Sequence, residues 1–194
     1  MPYKVLKLPE FPEKVIFISF FSDLESDVIR NVKEELIAGN SDFDFCFLNT
    51  DHIVSMEHLN YSIHQSIVNF KFGAEKAKTL NTEIILNLSP TNNITDSLKR
   101  FGVSGDCPNL IAIKVLETHS EVPEKVNEHL NLILRAKEQQ NIEFDNDVLF
   151  DNFVNIQKVK KIYKLSDAQM TETGKQQQAR LTRLVIGACI LRGY

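Results

Sequence analysis

Apolar residues recur along this chain in two rhythms, one of short unbroken runs and one with a three-to-four-residue spacing. Val15 to Phe21 (VIFISFF) is a β-branched and aromatic run of the kind that forms a strand buried on both faces. Directly after it, Ser22-Asp23-Leu24-Glu25 has the form of a capping box. Leu24, Val28, Val32 and Leu36 then repeat every fourth residue with Ile29 beside them, which predicts a helix with one apolar stripe. Gly39-Asn40 is its stop signal. Phe43, Phe45 and Phe47 alternate with Asp44, Cys46 and Leu48, the period of a strand with one face toward a core. Leu59, Ile63, Ile67 and Phe70 return to helical spacing.

Ile84 to Leu88 (IILNL) and Leu110 to Leu116 (LIAIKVL) again read as short strands, each bounded by Pro, Gly or Asn. Val126, Leu130, Ile133 and Leu134 mark a further helix, and Ile156, Val159, Ile162 and Tyr163 another. The last helix runs from Gln176 to Arg192. Four strands interleaved with five or six helices predict an α/β (α+β) fold, with a mixed sheet of about four to five strands covered by several helices. Residues 1–194 are expected to form a single domain. The polar stretch Asp167 to Gln178 reads as a surface connection.

At 194 residues and 43% hydrophobic content, the chain has enough apolar material for one sizeable core. A formal charge of -4 argues against a protein that grips phosphate backbones unaided. The three cysteines, Cys46, Cys107 and Cys189, are widely spaced and form no C-x-x-C pair, so reduced thiols are expected. The first residues, MPYKVLKLPEFPEK, lack a basic stretch followed by an apolar one, and no apolar run approaches the ~18 residues of a membrane span. The expectation is a soluble protein without a secretory signal.

No catalytic constellation emerges. Gly73-Ala74-Glu75-Lys76-Ala77-Lys78-Thr79 superficially resembles a phosphate loop, but it lacks the second glycine and follows a helix. Among His52, His58, His64, His119 and His129, the pair His58 and His64 is six apart and therefore not on one helix face. No metal site or cofactor is expected. There is no G-x-S-x-G elbow, and no cysteine sits in an activating setting.

Three surfaces remain. In the turn after Ser89-Pro90, Asn92 and Asn93 suit an N-cap for a helix running to Phe101, and Ile94 either staples inward or stands outward as an anchor. In the last helix, Leu184 to Leu191 is apolar nearly all round, interrupted only by Gly187, whose cost would be explained by another backbone approaching closely. The third surface is basic. Lys158, Lys160, Lys161 and Lys164 lie on adjacent turns, and Lys71, Lys76, Lys78, Lys99 and Arg100 would add a local positive field.

LNTEIILNLSPTNNITDSLKRFGV (Leu80 to Val103) and VKKIYKLS (Val159 to Ser166) resemble the signatures of the kinase-binding subunit of the KEOPS (EKC) complex, the family of the PRPK-binding protein TPRKB. The family pattern S-P-x-N-N-I-S/T followed by K-x-F-G-I/V stands at Ser89 to Val103, and the ending L-R-G-Tyr looks like the fungal branch. The resemblance implies a non-enzymatic subunit that binds the small lobe of an atypical kinase/ATPase, which in turn contacts the threonylcarbamoyl transferase subunit. It implies stimulation of the kinase and help in recruiting tRNA, chiefly its 3′ CCA end, for threonylcarbamoyl-adenosine modification. Residence in nucleus and cytoplasm and, in fungi, a link to telomere maintenance also follow.

Carried over by position, the kinase-facing residues are Asn92, Asn93, Ile94, Leu98, Phe101 and Val103 at the turn, with Leu184 and Ile190 on the last helix. Which of the two dominates is left open. The tRNA-facing residues are Lys71, Lys76, Lys78, Lys99, Arg100, Lys161 and Lys164. Relatives often carry Arg where Lys78 stands; lysine keeps the charge and loses the bidentate fork. The competing readings are a small α/β enzyme acting on a nucleotide and an autonomous RNA-binding module.

Overall fold

Phe11–Phe21 forms β2, the longest strand of the protein. A computed structural model, which describes residues 2–105, 107–118, 122–166 and 172–192, places it at the centre of a five-stranded sheet. Contacts gather the chain into two compact units, one made of Met1–Leu48 and Val103–Glu143, the other of Asn49–Gly102 and Phe144–Tyr194. His119, part of the 167–178 connection, and the final Gly-Tyr lie outside the described residues. Among those described, no helix is long and apolar enough to cross a membrane.

The first unit is built on the sheet. β1 (Tyr3–Leu8) and β4 (Leu110–Glu117) run antiparallel to β2 on its two sides, with Val5 opposite Phe17 and Ala112 opposite Ser19. β3 (Cys46–Asn49) lies beyond β4, and the short β5 (Asn141–Ile142) takes over from β1 beside Phe20 and Phe21. Val15, Phe17 and Phe21 share a core with Val28, Ile29 and Val32 of α1 (Ser26–Ala38) and with Val126 and Leu130 of α5 (Pro123–Ile133). The alternate residues Ile16, Ile18 and Phe20 are equally buried, so the VIFISFF run is covered on both faces as its composition predicts.

Two local expectations fail here. Ser22–Glu25 form no capping box: α1 starts at Ser26, and its N-cap residue Glu25 caps with no side chain. The backbone of this stretch makes tertiary bonds instead, Ser22 N–H donating to the Gln140 carbonyl and Leu24 N–H to that of Pro108. The alternation from Phe43 is not a strand register either. Ser41–Phe43 is a 3-10 turn, the strand begins at Cys46, and Phe45, Cys46, Phe47 and Leu48 are all buried. β1 was not foreseen, because YKVLKL at a sheet edge carries lysines and little periodicity.

The described elements of the second unit are helical apart from its first residue, which ends β3. They are α2 (Met56–Phe72), α3 (Leu80–Asn87), α4 (Ile94–Phe101), α6 (Asn146–Asn152), α7 (Ile156–Tyr163) and α8 (Gly174–Ile190), with a 3-10 turn at Thr50–His52. The strand expected at Ile84–Leu88 is therefore corrected to helix. Thr79 starts it, its side chain accepting from Thr82 N–H. Glu83 through Ser89 are all buried, and a run covered on every side shows no helical period. The expected surface connection is likewise helix from Gly174 onward.

Two glycines have opposite roles. Among the described residues, nothing lies within 4 Å of where a Cβ of Gly187 would stand, so none of them makes the expected close backbone approach. At Gly102 a Cβ would lie 2.6 Å from the Leu98 carbonyl oxygen, the acceptor that closes α4. Gly102→Ala is expected to lower stability by about 1–3 kcal/mol in urea unfolding through this overlap. Gly105→Ala, at a position with open space around it, serves as the control and should stay within about 0.5 kcal/mol of wild type.

Candidate partner-binding site

Between α3 and α4 the chain reverses through Leu88–Asn93, and its free polar groups are satisfied locally. Ser89 Oγ accepts from Thr91 N–H (3.2 Å), and Asn93 Oδ1 accepts from Asp96 N–H (3.0 Å). Asn93 is thus the helix cap. Asn92 has a different task, its Oδ1 accepting from Lys76 Nζ at 2.9 Å. Ile94 opens α4 half-buried, and one turn on Leu98 is 41% exposed. Phe101 is fully buried, its ring meeting those of His52 (5.5 Å) and Tyr163 (6.4 Å) edge-on. Asn49 Nδ2 donates to the Arg100 and Gly102 carbonyls (2.6 and 3.1 Å), which ties down the far end of α4. Val103 belongs to the first unit and packs half-buried against the sheet core.

The end of α8 comes to the same place. Leu181, Val185 and Cys189 form its buried stripe, Leu184 is half-buried, and Ile190 and the following Leu191 are 55% and 65% exposed. Arg192 then reaches α3, donating to the Leu86 and Ser89 carbonyls and to Asn87 Oδ1, while Asn87 Nδ2 donates to Ser66 Oγ at 2.8 Å. The last carbonyls of a helix lack partners and carry its negative dipole end, so a guanidinium suits them. The turn and the last helix, read from sequence as alternative surfaces, are joined by this residue.

Beneath them lies a buried polar cluster. Tyr163 Oη donates to the Leu88 carbonyl, which also accepts from Cys189 Sγ at 3.4 Å. Tyr163 has a single proton, so at its 3.2 Å contact with His58 the imidazole Nε2–H is the donor. His58 Nδ1 is left buried and without a partner. Burial pushes the His58 pKa down to about 3 and that of the Cys189 thiol up to about 12. His52 is lowered in the same direction by burial.

The predicted basic residues fall into two groups at the two ends of α4, a helix of roughly 12 Å. Lys71, Lys76 and Lys78 are exposed at and after the end of α2, beside the cap of α4 through the Lys76–Asn92 bond. Lys99 and Arg100 occupy the last turn of α4. Lys161 and Lys164 flank Tyr163 at the end of α7, and the Phe101–Tyr163 contact brings these two helix ends together. Lys158 pairs with Asp51 instead. The residues that sequence reading passed over are Glu83, Arg192, Tyr163 and Phe72. Tyr163 stood inside the VKKIYKLS motif and Phe72 next to a helix-ending glycine, signals that could have been read.

Among the described residues, no three His, Cys, Asp or Glu side chains converge as metal ligands, and all three cysteines are buried. What the second unit presents is a surface with exposed apolar and basic side chains, Leu98, Ile190 and Leu191 among the former and Lys71, Lys76 and Lys78 among the latter. The family profile described as kinase binding protein CGI-121 matches residues 21–193, and the chain belongs to that family. It is 52% identical over 196 aligned residues to the EKC/KEOPS complex subunit CGI121 of Debaryomyces hansenii, covering both chains completely. Against the Candida albicans protein of the same name it is 42% identical over 207 residues, again complete for both, and against that of Yarrowia lipolytica 29%, over 97% of this chain and 99% of the relative. The resemblance read from Ser89–Val103 and Val159–Ser166 is borne out.

His58 carries a pH dependence with a definite sign. It stays neutral in the fold down to about pH 3, while the unfolded chain takes up a proton near 6.5. Its contribution is therefore complete above pH 6.5 and falls by about 1.4 kcal/mol per unit below it, until the folded pKa is reached. Between pH 7.5 and 5.0, urea unfolding should show wild type losing about 2 kcal/mol more than His58→Gln does.

Proposed function

We propose that this chain is a non-catalytic subunit of an EKC/KEOPS-type complex that docks on the small lobe of the complex's atypical kinase/ATPase and stimulates it. The kinase links it indirectly to the threonylcarbamoyl transferase subunit, and the chain helps recruit tRNA by its 3′ CCA end for threonylcarbamoyl-adenosine modification. Work in nucleus and cytoplasm, and a part in telomere maintenance, belong to the same reading. The names of the aligned relatives and the description of the family support complex membership and kinase binding. The single observation that carries the docking surface is the exposure of Leu98, Ile190 and Leu191 in one unit, where Arg192 ties the end of α8 to the turn before α4 at Ser89.

Docking covers that apolar side of the second unit, with Ile94 as a half-buried flank, Leu184 beside the buried stripe, and Asn92 and Asn93 shaping the turn. Phe101 acts from beneath by fixing α4, while Val103 lies in the first unit against its own core. The open space beside Gly187 leaves room for a partner's backbone, which accounts for a glycine in the middle of α8. The two basic groups supply the tRNA contact.

A charge placed at a central apolar anchor costs an interface at least ~2 kcal/mol, or about thirtyfold in affinity. Leu98→Glu and Ile190→Glu are each expected to weaken capture of the purified cognate kinase by at least that factor, with circular dichroism unchanged. Ile94→Glu distinguishes an anchor from a flank: retention of the kinase makes Ile94 a flank. If Leu98→Glu and Ile190→Glu both bind the kinase like wild type, the docking surface lies elsewhere. Filter binding of tRNA with and without its CCA end, at two salt concentrations, tests the RNA part, with the CCA-less form expected to bind more weakly.

A further inference from the structure

The connection between α2 and α3 is held in shape by a carboxylate that never meets solvent. Glu83, fully buried in the first turn of α3, accepts from Asn69 Nδ2 (2.7 Å), from Lys76 N–H (3.0 Å) and from Ala77 N–H (2.8 Å). Gly73 leads the chain out of α2 at φ 64°, and Ala74 N–H returns to the Asn69 carbonyl. Lys76 Nζ gives one of its three protons to Asn92 Oδ1. A loop fixed at so many points is a scaffold. At its start stands Phe72, 72% exposed, between exposed Lys71 and the stretch of chain that carries exposed Lys76 and Lys78. Among the described residues, Phe72 is the one exposed phenylalanine.

We propose that Phe72 is a base-stacking platform for single-stranded RNA, with Lys71, Lys76 and Lys78 holding the phosphates around the stacked base. The proposal rests on the tRNA reading above and gives it a contact residue. A flat apolar ring presented among ammonium groups is complementary to a ligand that combines a flat π-face with a polyanionic backbone. A protein partner would call for a wider apolar patch, and the exposed residues near Phe72 along the chain include the charged Lys71, Glu75, Lys76 and Lys78. Base pairing hides base faces within a duplex, so the ligand is an unpaired end or stretch. Glu75 is the opposing charge in the loop, and it restrains the non-specific grip that lysines alone would give.

The chain contains no tryptophan, so Phe72→Trp introduces a single fluorophore at the site. Titrated with a short single-stranded oligoribonucleotide and with whole tRNA, its indole emission is expected to be quenched, with the midpoint that anisotropy of labelled RNA reports. Phe72→Ala, an exposed position whose folding is checked by circular dichroism, should weaken binding roughly 5- to 140-fold. Lys78→Ala should weaken it and reduce the salt slope. Unchanged emission in Phe72→Trp while anisotropy registers binding, or wild-type RNA affinity in Phe72→Ala, overturns the stacking role and leaves the tRNA reading standing. Failure of the wild-type chain to bind either RNA removes both. Loss of kinase capture in Phe72→Ala with RNA binding intact makes Phe72 a protein contact and overturns the proposal.

Discussion

An isolated helix of eight residues does not persist in water, because nucleating it costs more than its few bonds return. α3 nevertheless has that length, and the candidate surfaces of the second unit hang from it. Its two ends are held by opposite charges supplied from different directions. At the start, the Glu83 carboxylate gathers the α2–α3 loop. At the finish, the Arg192 guanidinium takes the carbonyls of Leu86 and Ser89. Both placements agree with the helix dipole, and both satisfy backbone groups that would otherwise be buried without partners.

From this follows a division of labour around the turn. The residues that look most recognisable, Asn92 and Asn93, do not both do the same thing: one caps α4, and the other receives Lys76. Phe101, which the family resemblance placed with the partner-facing residues, works inside the unit between His52 and Tyr163. The groups left for a visitor are the ones next to these, at Leu98 and at Ile190 and Leu191. Rigidity beneath and exposure above are what a docking surface requires, since little ordering entropy is then left to lose on association.

Sequence alone was enough for the sheet strands β2 and β4 and the long helices, because a run of β-branched residues and a four-residue repeat each leave a mark that burial does not erase. It misread Ile84–Leu88 because complete burial removes the polar face by which a helix is recognised. It misread Ser22–Glu25 because the bonds that settle those residues come from Gln140 and Pro108, more than eighty positions away. The family was legible in two short motifs, since turn chemistry and a helix stop constrain residue types tightly. The joining of the turn to α8 was not legible, because it depends on one arginine whose partners are main-chain oxygens and so leave no trace in side-chain pattern.

The bond between Arg192 and the Leu86 carbonyl spans 106 positions. Closing so large a loop brings an entropic penalty before any contact offsets it, which makes such pairings late events when a chain collapses. A nascent polypeptide that has already built α2 and the sheet still carries an unfinished turn. Any partner that docks at this turn must then wait until Arg192 has been made and has reached α3, and loss of that one side chain would leave the turn unfinished.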